Sequence, residues 1–187
     1  MDCILDAPSA RQQSYRISVP SYHHLAELGM LGTDVELLDG FIIKKMPKSP
    51  LHPLIVRRLF DLLTALLPAG FTVNKEDPLT TATSEPEPDI TVVRGRSEDY
   101  AQRHPATAEL VIEVAVNSEE IDFRKAAIYA EGGVKEYWVV EPVAKKITVF
   151  RSPNGRAYEQ TVVLDAGSTI SCQALPSVRV GLAELFG

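Results

Sequence analysis

A mixed α/β (α+β) fold, with one β-sheet flanked by helices in a single domain, is what the sequence predicts, and three observations carry that expectation. Short β-prone runs such as Asp89–Val93 and Glu109–Val116 interleave with helical patterns at His52–Leu67 and Ser118–Glu131. A chain of 187 residues fits one domain, which at this size buries about 70% of the surface its unfolded form exposes. Apolar residues make up 45% and charged residues 24%, close to the globular average, which disfavours disordered and fibrous classes.

The elements follow in order. Residues 1–18 read as an N-terminal arm ahead of a domain over 19–187. A short helix spans Tyr22 to Leu28, stopped by Gly29 and Gly32. Two β-prone runs, Val35–Leu38 and Phe41–Ile43, flank Asp39-Gly40, a strong hairpin signal that puts Glu36 on the first strand. From His52 to Leu67, Leu54, Ile55, Leu59, Leu62, Leu63 and Leu66 recur at helical spacing until Pro68 and Gly70 close the helix. Phe71–Val73 reads as a strand, and the prolines of Thr80–Pro88 hold that stretch extended.

Asp89–Val93 is strand-like. Glu109–Val116 is nearly continuous in apolar character, as in a strand buried on both faces. Ser118 is a candidate N-cap for the helix to Glu131, with Glu119, Glu120 and Asp122 at the positive end of its dipole and Gly132-Gly133 after it. Lys135–Glu141 and Lys145–Arg151 form a second hairpin through Pro142, and Tyr158–Leu164 is a further strand. No internal repeat or low-complexity segment is present.

A net charge of -6 and a pI near 5.3 argue against a protein that coats nucleic acid through a broad basic surface, so any such contact is local. A metal ion among carboxylates would add local positive charge that the formal count omits. Cys3 and Cys172 stand near opposite ends of the chain without metal-type spacing, so reduced thiols in a cytoplasmic setting are expected. The amino terminus has neither the basic start nor the apolar run of a secretory leader, and no apolar stretch is long enough to span a bilayer.

Chemistry is sought where polar residues occupy positions that belong to apolar ones. Glu113 interrupts Leu110-Val111-Ile112 and Val114-Ala115-Val116, and a carboxylate within a buried strand needs a cation or a large desolvation term. It reads as either a metal ligand or a salt-bridged strand-end residue. Asp89 follows Pro88 at a strand start, where turn and capping aspartates are common. Paired with Glu113 on a neighbouring strand, it reads more naturally as a metal ligand, since Mg²⁺ binds through one or two carboxylates plus water and phosphate.

Lys125 shares its helical face with Ile121, Ile128 and Tyr129. It snorkels to solvent, or pairs with Asp122 three residues earlier, or lies beside the carboxylates, where an ammonium orients water and stabilises phosphate charge. Glu36 reads first as an exposed hairpin residue and second as an accessory acid acting through water. Glu85 and Glu87 fall on the same side of an extended chain as Asp89, with solvation as their simpler role. His23, His24, His52 and His104 show no ligand spacing and read as structural or exposed, and Tyr137-Trp138 reads as core.

The order Pro88-Asp89, Glu113-Val114-Ala115, then Lys125 with Tyr129 and Gly133-Val134-Lys135-Glu136-Tyr137-Trp138 resembles the Uma-two family, a branch of the PD-(D/E)XK nuclease superfamily. Glu36–Gly40 and Ser49-Pro50-Leu51-His52 match its amino-terminal pattern, and the likeness runs from about Val19 to Phe186. The resemblance implies a restriction-endonuclease-like sheet and Mg²⁺-assisted DNA hydrolysis, with Mn²⁺ as a substitute. It implies Asp89 and Glu113 as metal-binding carboxylates, the Val114 carbonyl as a further ligand, Lys125 as a lysine moved from strand to helix, and Glu36 as an upstream acid.

Three departures stand out, the first being that Val116-Asn117-Ser118-Glu119-Glu120 replaces the small, proline- and serine-rich turn that many relatives carry there. Ala115 occupies the superfamily's lysine position, and the interval from Asp122 to Lys125 is one residue shorter than the family pattern, a shift that turns a helix by about 100°. The leading expectation is therefore a Mg²⁺-dependent endodeoxyribonuclease acting on DNA as a cytoplasmic homodimer without membrane contact. The alternative from another class is a catalytically inactive nuclease-fold protein that binds nucleic acid or protein, or serves as a dimer surface. Target sequence and DNA form are not encoded in any recognisable motif, and there is no separate recognition domain.

Overall fold

The computed structural model of this protein describes residues 7–187; the expectations for residues 1–6, Cys3 among them, lie outside the described residues. A short helix α1 (Pro8–Gln13) lies within the stretch read as an arm. Helix α2 (Val19–Glu27) begins at Val19 rather than Tyr22. Pro20 in its first turn lacks an N–H that would have no partner anyway, and the Ser18 hydroxyl caps the turn by accepting from the Ser21 N–H. Strands β1 (Val35–Leu38) and β2 (Phe41–Lys44) form the expected hairpin. Asp39 and Gly40 both take positive φ, 50° and 80°, as a two-residue type I′ turn requires.

Helix α3 (Leu51–Leu66) buries Ile55, Val56, Leu59 and Leu63, whereas Leu54 faces outward. Strands β3 (Phe71–Lys75), β4 (Ile90–Arg94) and β5 (Leu110–Val114) follow, then helix α4 (Glu119–Glu131) and strands β6 (Glu136–Glu141), β7 (Lys146–Asn154) and β8 (Ala157–Asp165). Not foreseen are a 3₁₀ turn at Ser97–Tyr100, the short strands β9 (Thr169–Ser171) and β10 (Arg179–Gly181), and helix α5 (Leu182–Phe186). These pieces are too short to show a period.

Six strands make the main sheet in the order β3-β4-β5-β6-β7-β8. Only β5 and β6 run parallel, joined by the α4 crossover that a parallel pair demands; the other neighbours are antiparallel. Because successive strand residues point to opposite faces, Leu110, Ile112 and Val114 pack beneath α3 and α5, while Val111 and Ala115 join Tyr129 and Tyr137 on the α4 side. Glu113 shares that parity and therefore faces α4.

Tyr137 and Trp138 are fully buried core residues. The Tyr137 ring stacks on Phe150 with centroids 5.6 Å apart and tilts against Tyr129 at 4.8 Å. Arg58 closes the carboxyl-terminal end by donating to the carbonyls of Leu185 and Gly187 at 2.8 and 2.9 Å. Cys172 is a buried free thiol in the α3-side core. Among the described residues no helix is long and apolar enough to cross a membrane.

Candidate functional site

Strand register brings the two leading carboxylates together. In the β4–β5 ladder Ile90 lies opposite Ile112, and one further step places Asp89 opposite Glu113 at the same edge of the sheet. The Asp89 N–H approaches Glu113 Oε2 at 3.4 Å, and the Val114 N–H donates to Asp89 Oδ2 at 2.8 Å. In an extended strand a residue's N–H and C=O point the same way, so the Val114 carbonyl faces this edge too.

Helix α4 lies over the same point. Lys125 Nζ is 3.0 Å from Glu113 Oε1, 3.0 Å from Glu36 Oε1 and 3.9 Å from Asp122 Oδ1. One turn later the Tyr129 hydroxyl donates to Glu113 Oε1 at 2.7 Å. Lys125 thus faces the carboxylates and not solvent, and the interval from Asp122 still aims it there. Ser118, at the N-cap position of α4, does not cap the helix: its hydroxyl donates to Asp122 Oδ2 at 2.5 Å.

The reading of Glu36 as an exposed hairpin residue is corrected, since it is only 4% exposed. The Thr80–Asp89 segment covers its strand, with Glu85 and Leu37 bridging through paired backbone hydrogen bonds and the Glu87 N–H reaching Glu36 Oε2 at 3.2 Å. Glu85, expected to be solvated, is buried against His23 and Thr80, and half-buried Glu87 pairs with Lys45 at 2.7 Å. Carboxylates placed by tertiary pairing carry no signal in their immediate sequence neighbourhood.

Sequence reasoning missed His52 and Lys48. His52 Nε2 lies 3.0 Å from both oxygens of Asp89, and Lys48 Nζ is 3.4 Å from Asp89 and 2.5 Å from Glu76. A signal for His52 did exist: it precedes Ile55, Val56 and Leu59 at i+3, i+4 and i+7, which puts it in the buried stripe of α3. Searching for histidine–histidine spacing could not find it, because its partner is an aspartate on another element.

These groups line a cleft of about 520 Å³, with Glu36, Lys48, His52, Asp89, Glu113 and Lys125 in its wall. Burial pushes the Glu113 carboxyl up to about 8; Lys125 opposes the shift, while Asp122, Asp89 and Glu36 add to it. Asp122 is pushed up to about 6, again chiefly by burial. Burial also acts to raise Asp89, but His52, the Val114 N–H and Lys48 outweigh it and hold the carboxyl below its ordinary value. Burial alone would lower Lys125, yet Glu113, Glu36 and Asp122 keep its ammonium firmly charged. The cleft is therefore short of positive charge.

Glu113 Oε1 is occupied by Lys125 and Tyr129, which leaves Oε2 directed toward Asp89 and the cleft. With the carboxylate of Asp89 and the Val114 carbonyl, this makes a small set of hard oxygen donors, of the kind Mg²⁺ and Mn²⁺ accept when water and phosphate complete the shell. Among the described residues no three His, Cys, Asp or Glu side chains are grouped to hold a metal by themselves. The donor set thus suits a cation shared with substrate and water, not a closed structural metal.

A family model, Uma2, described as "Putative restriction endonuclease", matches residues 19–183. Among solved structures, a "putative nuclease belonging to DUF820" from Anabaena variabilis ATCC 29413 superposes with a TM-score of 0.74 at 19% identity, covering 87% of this chain and 96% of that one. The type IIG restriction endonuclease BpuSI aligns at a TM-score of 0.38 and 16% identity over 66% of this chain and 15% of its own, too slight a likeness to carry an argument. None of the curated proteins compared with the sequence matches it.

Proposed function

This chain belongs to the Uma2 family, described as "Putative restriction endonuclease", and from that membership and the geometry of the cleft we propose that it hydrolyses phosphodiester bonds in DNA. The observation that carries the reading is the meeting of Asp89 and Glu113 across β4 and β5 with the Lys125 ammonium 3.0 Å from Glu113. Mg²⁺, or Mn²⁺ in its place, would be held by Asp89, Glu113 and the Val114 carbonyl. When bound, such an ion supplies Lewis-acid charge to the scissile phosphate and acidifies an attacking water.

The chain's own groups do the rest. Tyr129 and Lys125 fix one oxygen of Glu113, and His52 with the Val114 N–H fixes Asp89, so both carboxylates are held in place before substrate arrives. Lys125 sets a permanent positive charge beside the site, where it can donate to a phosphate oxygen as negative charge builds in the transition state. Glu36 holds Lys125 from the other side at 3.0 Å. The described residues of one chain form this cleft once, so a two-fold dimer is the simplest assembly that addresses both strands of a duplex.

The test is divalent-dependent cleavage of several DNA forms by the purified protein and by Glu113→Ala. Cleavage by the native protein with Mg²⁺ or Mn²⁺, lost in the variant, is the expected result; equal residual activity in the two sinks the proposal. A second reading, a nuclease fold that binds without cutting, is favoured by one observation: both approaches to Lys125 Nζ at 3.0 Å are carboxylates. Saturable Mn²⁺ binding with no cleavage of any DNA form would select it.

A further inference from the structure

We propose that a second cleft, outside the metal site, anchors a backbone phosphate of the nucleic acid; the proposal rests on the nuclease reading above. This cleft, about 640 Å³, lies between α2 and the loop that precedes β5, and His23, Thr80, Tyr100, Gln102, Arg103 and His104 line it. No carboxylate is among its lining residues; the neighbouring acid Glu85 is buried behind the wall and bonded to His23 and Thr80. The first cleft is the reverse: Lys44, Lys45, Lys48 and Lys125 stand in it, but each already faces an acid, Asp34, Glu87, Glu76 and Glu113 respectively.

That contrast matters for a protein of net charge -6. Affinity for a polyanion comes mainly from cations that displace its counterions, and a cation already neutralised by a neighbouring carboxylate contributes little to that exchange. Among the described residues, the arginines paired with carboxylates are Arg94, Arg96, Arg124, Arg151 and Arg156. Arg103 is not one of them; it is exposed and lines the second cleft.

The floor is built, not incidental. Buried Glu85 accepts from the Thr80 hydroxyl at 2.6 Å and holds His23 Nε2 at 2.8 Å from both its oxygens, which fixes the imidazole at the cleft wall. Tyr100 lines the same cleft as Arg103, and grooves that bind single strands combine aromatic rings with cations. Glu85 backs this cleft and Asp89 stands in the other, four residues apart on one extended segment, so at most about 14 Å separates the two positions.

The experiment is equilibrium binding of a short fluorescent oligonucleotide, single-stranded and duplex, to the full chain in EDTA, where a metal-dependent nuclease cannot cut. Salt is varied from about 50 to 200 mM. The native protein should bind, and Arg103→Ala should weaken binding about tenfold at the low-salt end and reduce the log–log salt slope by about 1, the signature of one lost phosphate contact. Arg96→Ala, which removes an exposed arginine paired with Glu98 outside the cleft, should change neither. Competition by inorganic phosphate should be weaker in Arg103→Ala than in the native protein. An unchanged slope and affinity in Arg103→Ala, or binding by the native protein only when a divalent ion is present, overturns the anchor. Binding in EDTA that depends on Arg103 with no cleavage under any divalent ion overturns the nuclease reading instead and leaves the anchor standing.

Discussion

Replacing Lys125 by methionine keeps most of the side chain's volume and removes its charge from among three carboxylates, Glu36 and Glu113 at 3.0 Å and Asp122 at 3.9 Å. Lys125 is only 5% exposed and its partners are equally enclosed, so water compensates poorly for its loss. Removing one member of a buried ion pair typically destabilises by about 3–5 kcal/mol, because the remaining charge stays buried without compensation. For a domain of this size each kcal/mol lowers Tm by about 2–4 °C, which places the expected drop at roughly 6–20 °C. The loss should be larger at high pH than at low pH, since protonation relieves the stranded acids. Adding Glu113→Gln to Lys125→Met removes one of those acids and should recover part of the loss, a positive coupling between the two sites. Thermal unfolding in EDTA, followed by circular dichroism, reads all three variants. A Lys125→Met protein that melts within a degree or two of the native chain, or a double variant less stable than the single one, refutes the account.

Three further outcomes follow from the same geometry. Glu113 and Asp122 are raised to about 8 and about 6, above their ordinary values, so their contribution to stability is fully present below about pH 4 and is lost as pH rises through 6 and then 8. Metal-free melts across that window should fall more steeply for the native protein than for Glu113→Gln, and equal slopes would contradict the assignment. His52→Asn should weaken Mn²⁺ binding about 10–100-fold, measured by calorimetry, because Asp89 loses the group that orients it; native-like affinity would count against that role. Arg58→Ala should lower stability by about 1–2 kcal/mol through the lost charged bonds to the Leu185 and Gly187 carbonyls, while leaving metal binding unchanged.

Periodicity and punctuation made the frame legible: the Asp39-Gly40 turn, the α3 stripe and the unbroken apolar run around Glu113 all formed where their patterns placed them. Glu113 and Lys125 were readable as misfits because each interrupts a strong local pattern. Glu36 and Glu85 were not, since both sit in segments that alternate or turn as exposed segments do, and only the packing of the Thr80–Asp89 chain against β1 buries them. His52 fitted its stripe too well to be noticed as polar. The β9–β10 pair and α5 escaped for a different reason: three to five residues give too few repeats for any period to show.

The site draws Glu36 from β1, Asp89 from the threshold of β4, Glu113 from β5 and Lys125 from α4, with the first and last separated by much of the chain. The Glu36–Lys125 contact spans many residues and needs the intervening loops closed first, so it is expected to form late in folding. Interactions absent from the folding transition state leave their mark on the reverse reaction. Variants at Glu36 or Lys125 should therefore refold at nearly the native rate and unfold faster, and the ion pair acts as a latch that governs how long the native state persists.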